Sequence, residues 1–109
     1  MKGTNLGEFE ELVLLIVANL YKDAYGLQIK EAIKNRGNRP VSISTVHATL
    51  HRLKQKGYLA SEYDSSSITE RGGRPKLIFH VTKEGKAVLI KVRELRNGLW
   101  DTIPGFNFS

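Results

Sequence analysis

The feature that most constrains this chain is an uninterrupted run of seven apolar residues, Leu12–Ala18, near its amino end. Three acids precede the run, where the dipole of a helix favours negative charge, so the sequence predicts a first helix from Leu6 or Gly7 to about Leu20. A surface helix carries polar residues on one face, whereas this run is apolar all round. We therefore expect the first helix to be covered on two sides.

The charge is unevenly distributed along the chain. The 109 residues carry a net charge of +6, and residues 30–86 hold 12 Lys and Arg against 5 acids. Such a local excess indicates a surface that faces a polyanion such as nucleic acid, although a basic surface can also serve solubility alone. The length suits one domain. The absence of cysteine excludes disulfides, thiolate zinc sites and cysteine nucleophiles.

The sequence shows no membrane signal. The apolar run is much shorter than the roughly 18 residues of a transmembrane helix, and no signal-peptide pattern precedes it. No segment has the pattern of a basic amphipathic helix with bulky apolar residues on its free face. We therefore expect a soluble, cytoplasmic protein without a membrane partner.

The pattern after the first helix predicts two further helices, a hairpin and a last helix. The second helix is expected from about Tyr25 to Asn35, and the third begins after Ser42 as N-cap and ends at Gly57. Two short strands follow, from Tyr58 to Tyr63 and from Leu77 to Val81, and Thr82 can cap the last helix. The apolar face that identifies the third helix consists of Ile43, Val46, Leu50 and Leu53.

This order of elements predicts the fold class. Three helices followed by a β-hairpin describe a mainly α (α+β) winged helix-turn-helix, in which the second of the two turn-linked helices enters the major groove of DNA. The last helix is an addition to that fold. We expect residues 1–81 to form the DNA-binding domain and residues 82–109 to form a dimerisation helix with a short tail.

The third helix and the hairpin tip carry the chemistry of DNA recognition. Short hydroxyl side chains let a helix approach base edges, and Arg52 can fork onto guanine or bind a phosphate. Lysines and the Gly-Gly tip would contact phosphates, which fix the register without reading sequence. The candidate DNA-binding residues are Ser42, Ser44, Thr45, His47, Ala48, Thr49, His51, Arg52, Lys54, Lys56, Arg71, Gly72, Gly73, Arg74 and Lys76.

Metal binding and catalysis have weak support. His47 and His51 stand four residues apart, a spacing that can bind a metal ion, but no carboxylate lies between them and His80 is the only other histidine. No nucleophile motif or phosphate-binding loop is present. We therefore expect no catalytic residue, no metal and no cofactor.

The last helix has an apolar stripe that requires a partner. It can pack on the first helix of the same chain, or it can cross to a symmetric second copy. A homodimer is favoured, because it also covers the second side of the first helix. The candidate dimerisation residues are Leu12, Leu15, Ile16, Val88, Val92, Leu95 and Leu99.

The motifs of the chain resemble the PadR family of transcriptional regulators. The Gly-Gly-Arg hairpin tip, followed by a strand and a Thr-x-x-Gly helix start, is the more specific part. Two departures occur: His47 stands where the family usually has Tyr, and Ile78-Phe79 replaces paired tyrosines. The segments that carry the resemblance are Leu6–Leu20, Ala24–Ile29, Ser42–Leu53, Gly57–Leu59, Arg71–Arg74 and Val81–Gly85.

The resemblance implies a bacterial repressor of the short subfamily, which is dimeric through a single carboxyl-terminal helix. It further implies that a small aromatic effector binds between the subunits, near Trp100 and Leu99. The predicted function is therefore a transcriptional regulator that binds a pseudo-palindromic operator in double-stranded DNA and is released by such a ligand. The alternative is a winged-helix protein-interaction module without sequence-specific DNA binding, for which dispersed basic residues would be expected.

Overall fold

The computed structural model describes residues 6–64 and 75–105. Within them the elements follow the order of a winged helix-turn-helix with an added last helix, which confirms the predicted fold class. In chain order they are α1 (Glu8–Leu20), a 3-10 turn (Tyr21–Asp23), α2 (Gly26–Asn35), α3 (Ile43–Gln55), β1 (Leu59–Asp64), β2 (Lys76–Val81) and α4 (Lys83–Asp101).

Local capping signals set the ends of α3 and the start of α4. The Ser42 hydroxyl accepts a hydrogen bond from the Thr45 amide at 3.2 Å, which satisfies an otherwise unpaired donor of the first turn of α3. Gly57 ends that helix with a φ of +83°, a conformation that favours glycine. The Thr82 hydroxyl caps α4 in the same way, accepting from the Gly85 amide at 3.0 Å.

The two strands form an antiparallel hairpin that is joined to the start of α2. Its register runs from the pair Leu59 and Val81 to the pair Asp64 and Lys76. The Phe79 amide donates to the Ala24 carbonyl at 2.9 Å, so the chain before α2 extends the hairpin as a third, short edge. The hairpin tip with the predicted Arg71–Arg74 contacts lies outside the described residues.

The core lies between α1, α2, α3 and the base of the hairpin. Its fully buried side chains come mainly from the three helices, and α4 adds only its first turns to it. Gly85 makes this contact: a Cβ atom at that position would lie 2.3 Å from the Tyr58 carbonyl oxygen. The largest fully buried side chains are Leu14, Ile29, Ile33, Leu50, Leu53, Val13, Val17, Val46 and Thr49.

Two residues predicted for dimerisation belong to this core instead. Ile16 on α1 is 6% exposed and Val88 on α4 is 5% exposed, and both pack in the hydrophobic cluster of their own chain. The prediction was wrong for them because the inner edge of each apolar stripe faces the winged helix itself. On α1, Leu15 remains 47% exposed, so part of the second side of that helix is open.

The second half of α4 projects from the core. Leu95, Leu99 and Trp100 are 63%, 62% and 48% exposed, and the helix continues to Asp101, beyond the tryptophan. Arg96 contacts α1 through an ion pair to Glu11 with a 2.9 Å N–O distance. In the described residues, no helix combines the length and the apolar character needed to cross a membrane.

Candidate nucleic-acid interface

The outward face of α3 is polar, basic and free of acids. Val46, Leu50 and Leu53 turn one side of the helix into the core, which leaves the opposite side in solvent. A surface of this kind can approach a polyanion without charge repulsion. The predicted residues that the structure exposes on α3 and at its two caps are Ser42, Ser44, Thr45, His47, Ala48, His51, Arg52, Lys54 and Lys56.

Thr49 differs from the prediction. Its side chain is buried at 1% exposure, and its hydroxyl donates to the Thr45 carbonyl at 3.0 Å. The same hydroxyl accepts from the Arg52 Nη2 at 3.3 Å. Thr49 therefore belongs to the packing of α3, because its position on the helix lies beside Val46 and Leu53 rather than opposite them.

Arg52 and Lys56 share one buried acid, Glu10 of α1. The Arg52 Nε lies 3.2 Å from Glu10 Oε2, and the Lys56 Nζ lies 2.7 Å from Glu10 Oε1. Glu10 is only 7% exposed and also accepts from the Gly7 amide at 2.8 Å. Arg52 of α3 and Lys56 at its C-cap are thus anchored to α1 within the same chain.

The surroundings of Glu10 keep its carboxylate charged. Burial by itself raises the pKa of Glu10, because a charge loses its water in the interior. Hydrogen bonds from Lys56, from the Gly7 amide and from Arg52 outweigh that cost and leave the pKa below the ordinary value. Glu10 is therefore a fixed negative charge beside the candidate DNA-binding face.

Three acids at the start of α1 bind cations from three different segments. Glu8 pairs with Arg39 of the α2–α3 loop at 2.8 Å, Glu10 with α3, and Glu11 with Arg96 of α4. The sequence analysis assigned these acids to the helix dipole alone. It missed the cross-links because their partners lie 31 to 85 positions away in the chain.

A cleft of about 270 Å³ lies between the start of α2, α3 and the hairpin. His47 borders it and approaches α2 so closely that a Cβ atom at Gly26 would lie 3.1 Å from the imidazole Cε1. Lys76 lies on the other side, its Nζ 5.8 Å from the centre of the Tyr25 ring. The Tyr25 hydroxyl donates to Asp64 of β1. The cleft thus places a lysine and a histidine beside the first, incompletely hydrogen-bonded turn of α2.

The predicted site residues of the hairpin are Lys76, which is exposed, and Arg71, Gly72, Gly73 and Arg74, which lie outside the described residues. Within residues 6–64 and 75–105, no group of three histidine, aspartate or glutamate side chains converges on a metal position.

Comparison with known proteins identifies the family. The model of the transcriptional regulator PadR-like family matches residues 13–91. The chain belongs to this family. Its matched region includes α2, α3, the hairpin and the first half of α4, so the PadR-like chain is a DNA-binding transcriptional regulator with a winged helix, as the sequence predicted.

Solved structures agree with the PadR-like fold. A PadR family transcriptional regulator from Eggerthella lenta is 29% identical, with a TM-score of 0.64 over 86% of this chain and 80% of that one. A PadR-like transcription factor from Bacteroides fragilis is 22% identical, with a TM-score of 0.72 over 86% and 84%. By sequence, the chain is also similar to a protein of Lysinibacillus sphaericus, which is 33% identical over 85 residues, or 76% of this chain and 72% of that protein.

Proposed function

We propose that this PadR-like regulator is a repressor that binds a pseudo-palindromic operator as a homodimer and is released by a small aromatic effector. Residues 1–81 form the DNA-binding domain, and residues 82–109 form the dimerisation helix with its tail. The exposed, acid-free face of α3 is the observation that carries the proposal.

Base contacts are proposed for the side chains at the centre of that face. Ser44, Ala48 and His51 follow one another at intervals of three or four residues, so they line the part of α3 that enters the major groove. Ser44 and Ala48 are small, so the amino-terminal half of the helix can come close to base edges. Arg52 lies at the border of this face, where its side chain is about half exposed.

Phosphate contacts are proposed on both sides of α3. Lys54 lies in the last turn of α3 and Lys56 at its C-cap, and Lys76 with His47 borders the cleft at the start of α2. The amides of the first turn of α2 are further donors for a phosphate oxygen. The hairpin tip with Arg71, Gly72, Gly73 and Arg74 supplies the remaining contacts to the backbone.

The open half of α4 supports the homodimer. Leu95 and Leu99 project on one side of the helix, and Leu15 of α1 is also exposed. Isolated apolar side chains are common on surfaces, but Leu95 and Leu99 lie one helical turn apart on the same side of α4, where a partner would remove both from water. A second copy placed by two-fold symmetry would cover these side chains on both chains. The residues proposed for this interface are Leu12, Leu15, Val92, Leu95 and Leu99.

A cavity of about 290 Å³ between α1 and α4 supports the effector site. Leu15, Leu89, Ile90 and Trp100 supply apolar walls, while Leu99 does not line it. An indole ring offers a flat surface for a planar ligand. Because α4 also joins the two chains, a ligand that favours one separation of the α3 helices changes the affinity for DNA.

The test is capture of fragmented genomic DNA on purified protein. The wild type is expected to enrich a few sites that contain an inverted repeat, and Ala48→Glu is expected to enrich none, because it places a carboxylate at the centre of the DNA-binding face. Ala87→Glu is the matched control, since it makes the same substitution at an exposed alanine of α4. Equal enrichment by all three proteins, or a lack of recurrent sites with the wild type, would contradict the proposal.

A further inference from the structure

We propose that Glu10 is a specificity-determining positioning residue: it fixes Arg52 in one orientation and lowers the affinity of the α3 surface for DNA of unrelated sequence. Glu10 does not touch DNA itself in this proposal. Glu10 acts through Arg52 and Lys56, and this inference rests on the proposed DNA-binding face.

The geometry of Arg52 shows how its orientation is fixed. The Nε donates to Glu10 at 3.2 Å and the Nη2 to the Thr49 hydroxyl at 3.3 Å, so two different nitrogens of one planar group are held. Thr49 is in turn held by the Thr45 carbonyl. A guanidinium fixed at two points of its fork loses little further freedom when it binds a base, and side-chain order of this kind favours the one sequence it fits.

The charge of Glu10 lowers the affinity of the protein for DNA of unrelated sequence. Affinity for arbitrary DNA comes from cations that replace counterions on phosphates. A carboxylate 2.7 Å from Lys56 and 3.2 Å from Arg52 competes with phosphates for both cations. The competition lowers binding to every sequence, while the base contact of Arg52 recovers affinity only at the operator.

The neighbouring Glu11 provides a control for this effect. It lies on the same turn of α1 and also forms an ion pair, but its partner is Arg96 on α4. Glu11→Gln therefore makes the same change in net charge as Glu10→Gln without altering the partners of α3.

The experiment compares the binding of the full chain and its variants to two duplexes at several salt concentrations. One duplex contains the captured operator, and the other contains the same bases in scrambled order. For Glu10→Gln, the salt dependence of binding to the scrambled duplex is expected to steepen by about 1 to 2 in log–log slope, which corresponds to one or two additional phosphate contacts. The ratio of operator to scrambled affinity is expected to fall about five- to tenfold, the loss of one oriented base contact.

The second arm assigns the effect to Arg52. In the double variant Glu10→Gln with Arg52→Ala, the slope is expected to return towards the wild-type value, because the released guanidinium is absent. If thermal unfolding shows that Glu10→Gln does not fold, Glu10→Asp replaces it. Its shorter carboxylate keeps the charge but does not reach both cations, and a reduced ratio is again expected.

The outcomes separate this inference from the proposed function. A wild type that binds both duplexes equally overturns the proposed function and this inference with it. A wild type that selects the operator, with Glu10→Gln indistinguishable from Glu11→Gln in slope and ratio, overturns only the role of Glu10. Equal loss of affinity for both duplexes in Glu10→Gln assigns Glu10 to folding alone and also overturns it.

Discussion

Arg96 of α4 donates to Glu11 of α1 at 2.9 Å and joins residues that lie 85 positions apart in the chain. The residue before Glu11 holds α3 through Arg52 and Lys56. One turn of α1 thus contacts both the helix proposed to read DNA and the helix proposed to join the subunits.

The close approach at Gly85 makes this position sensitive to a single methyl group. We expect Gly85→Ala to lower the free energy of unfolding by about 1 to 3 kcal/mol, because the added Cβ would overlap the Tyr58 carbonyl and Val81. Gly98→Ala is the matched control on the same helix. It meets no atom within 4 Å and is expected to stabilise by up to about 1 kcal/mol through helix propensity. Urea unfolding measures both, and equal effects would contradict the packing at Gly85.

The exposed stripe of α4 predicts a dimer in solution. Light scattering at micromolar protein is expected to give the mass of two chains for the wild type and of one chain for Leu95→Glu, which buries an unpaired charge at the interface. The variant should keep its helical circular dichroism, since Leu95 is 63% exposed within its own chain. Ala87→Glu is expected to stay dimeric, and a wild type with the mass of one chain would exclude the proposed assembly.

The lowered pKa of Glu10 predicts a pH-dependent contribution to stability. A carboxyl whose pKa is lower in the folded state binds protons better when unfolded, so its contribution is complete above the ordinary value of 4.5 and is lost as the pH falls through the folded pKa. We expect Glu10→Gln to cost about 1 to 3 kcal/mol at pH 7, as for hydrogen bonds to a charged group. The difference from the wild type should shrink at acid pH. A constant difference from pH 7 to well below 4.5 would show that the charge contributes nothing.

Arg52 and Arg74 should affect DNA binding differently. In gel shifts, Arg52→Ala is expected to weaken binding to the operator by about 1 to 3 kcal/mol, whereas Arg74→Ala should weaken binding to all DNA sequences alike. Lys34→Ala, at an exposed position of α2, serves as the control. Binding by the wild type should fall steeply with salt between about 50 and 200 mM. Salt-insensitive shifts, or shifts unchanged by both arginine variants, would contradict the interface.

The effector site is testable through the single tryptophan of the chain. Planar aromatic dyes are expected to quench the Trp100 fluorescence of the wild-type dimer at micromolar concentration, because they stack against the indole. Leu95→Glu should show less quenching, since the intersubunit position is then lost. Absence of quenching by any dye at high micromolar concentration, or equal quenching in both proteins, would remove the site.

The elements were predictable from sequence because their signals are local. Ser42 and Thr82 cap the helices that begin directly after them, and Gly57 ends α3, as expected. The errors concern residues at the borders between faces. Thr49 was assigned to the DNA face for its polar side chain, and Val88 to the dimer for its apolar one, but the angle of packing places both in the core.

The role of Glu10 was not predictable from the same signals. An acid in the first turn of a helix is explained by the helix dipole, and no pattern along the chain connects it with cations 42 and 46 residues later. Only the packing of α1 against α3 brings these charges together. Long-range pairs of this kind require the fold before they can be inferred.

The close packing at Gly85 also has a consequence for the spacing of the half-sites in the proposed operator. The Tyr58 carbonyl occupies the space of a side chain there, which sets the direction in which α4 leaves the winged helix. In the proposed dimer, the direction of α4 determines the distance between the two α3 helices. Along B-form DNA the distance is counted in base pairs, about one helical turn between half-site centres. In the proposed dimer, the absence of a side chain at Gly85 therefore helps to determine the number of base pairs between the two half-sites of the operator.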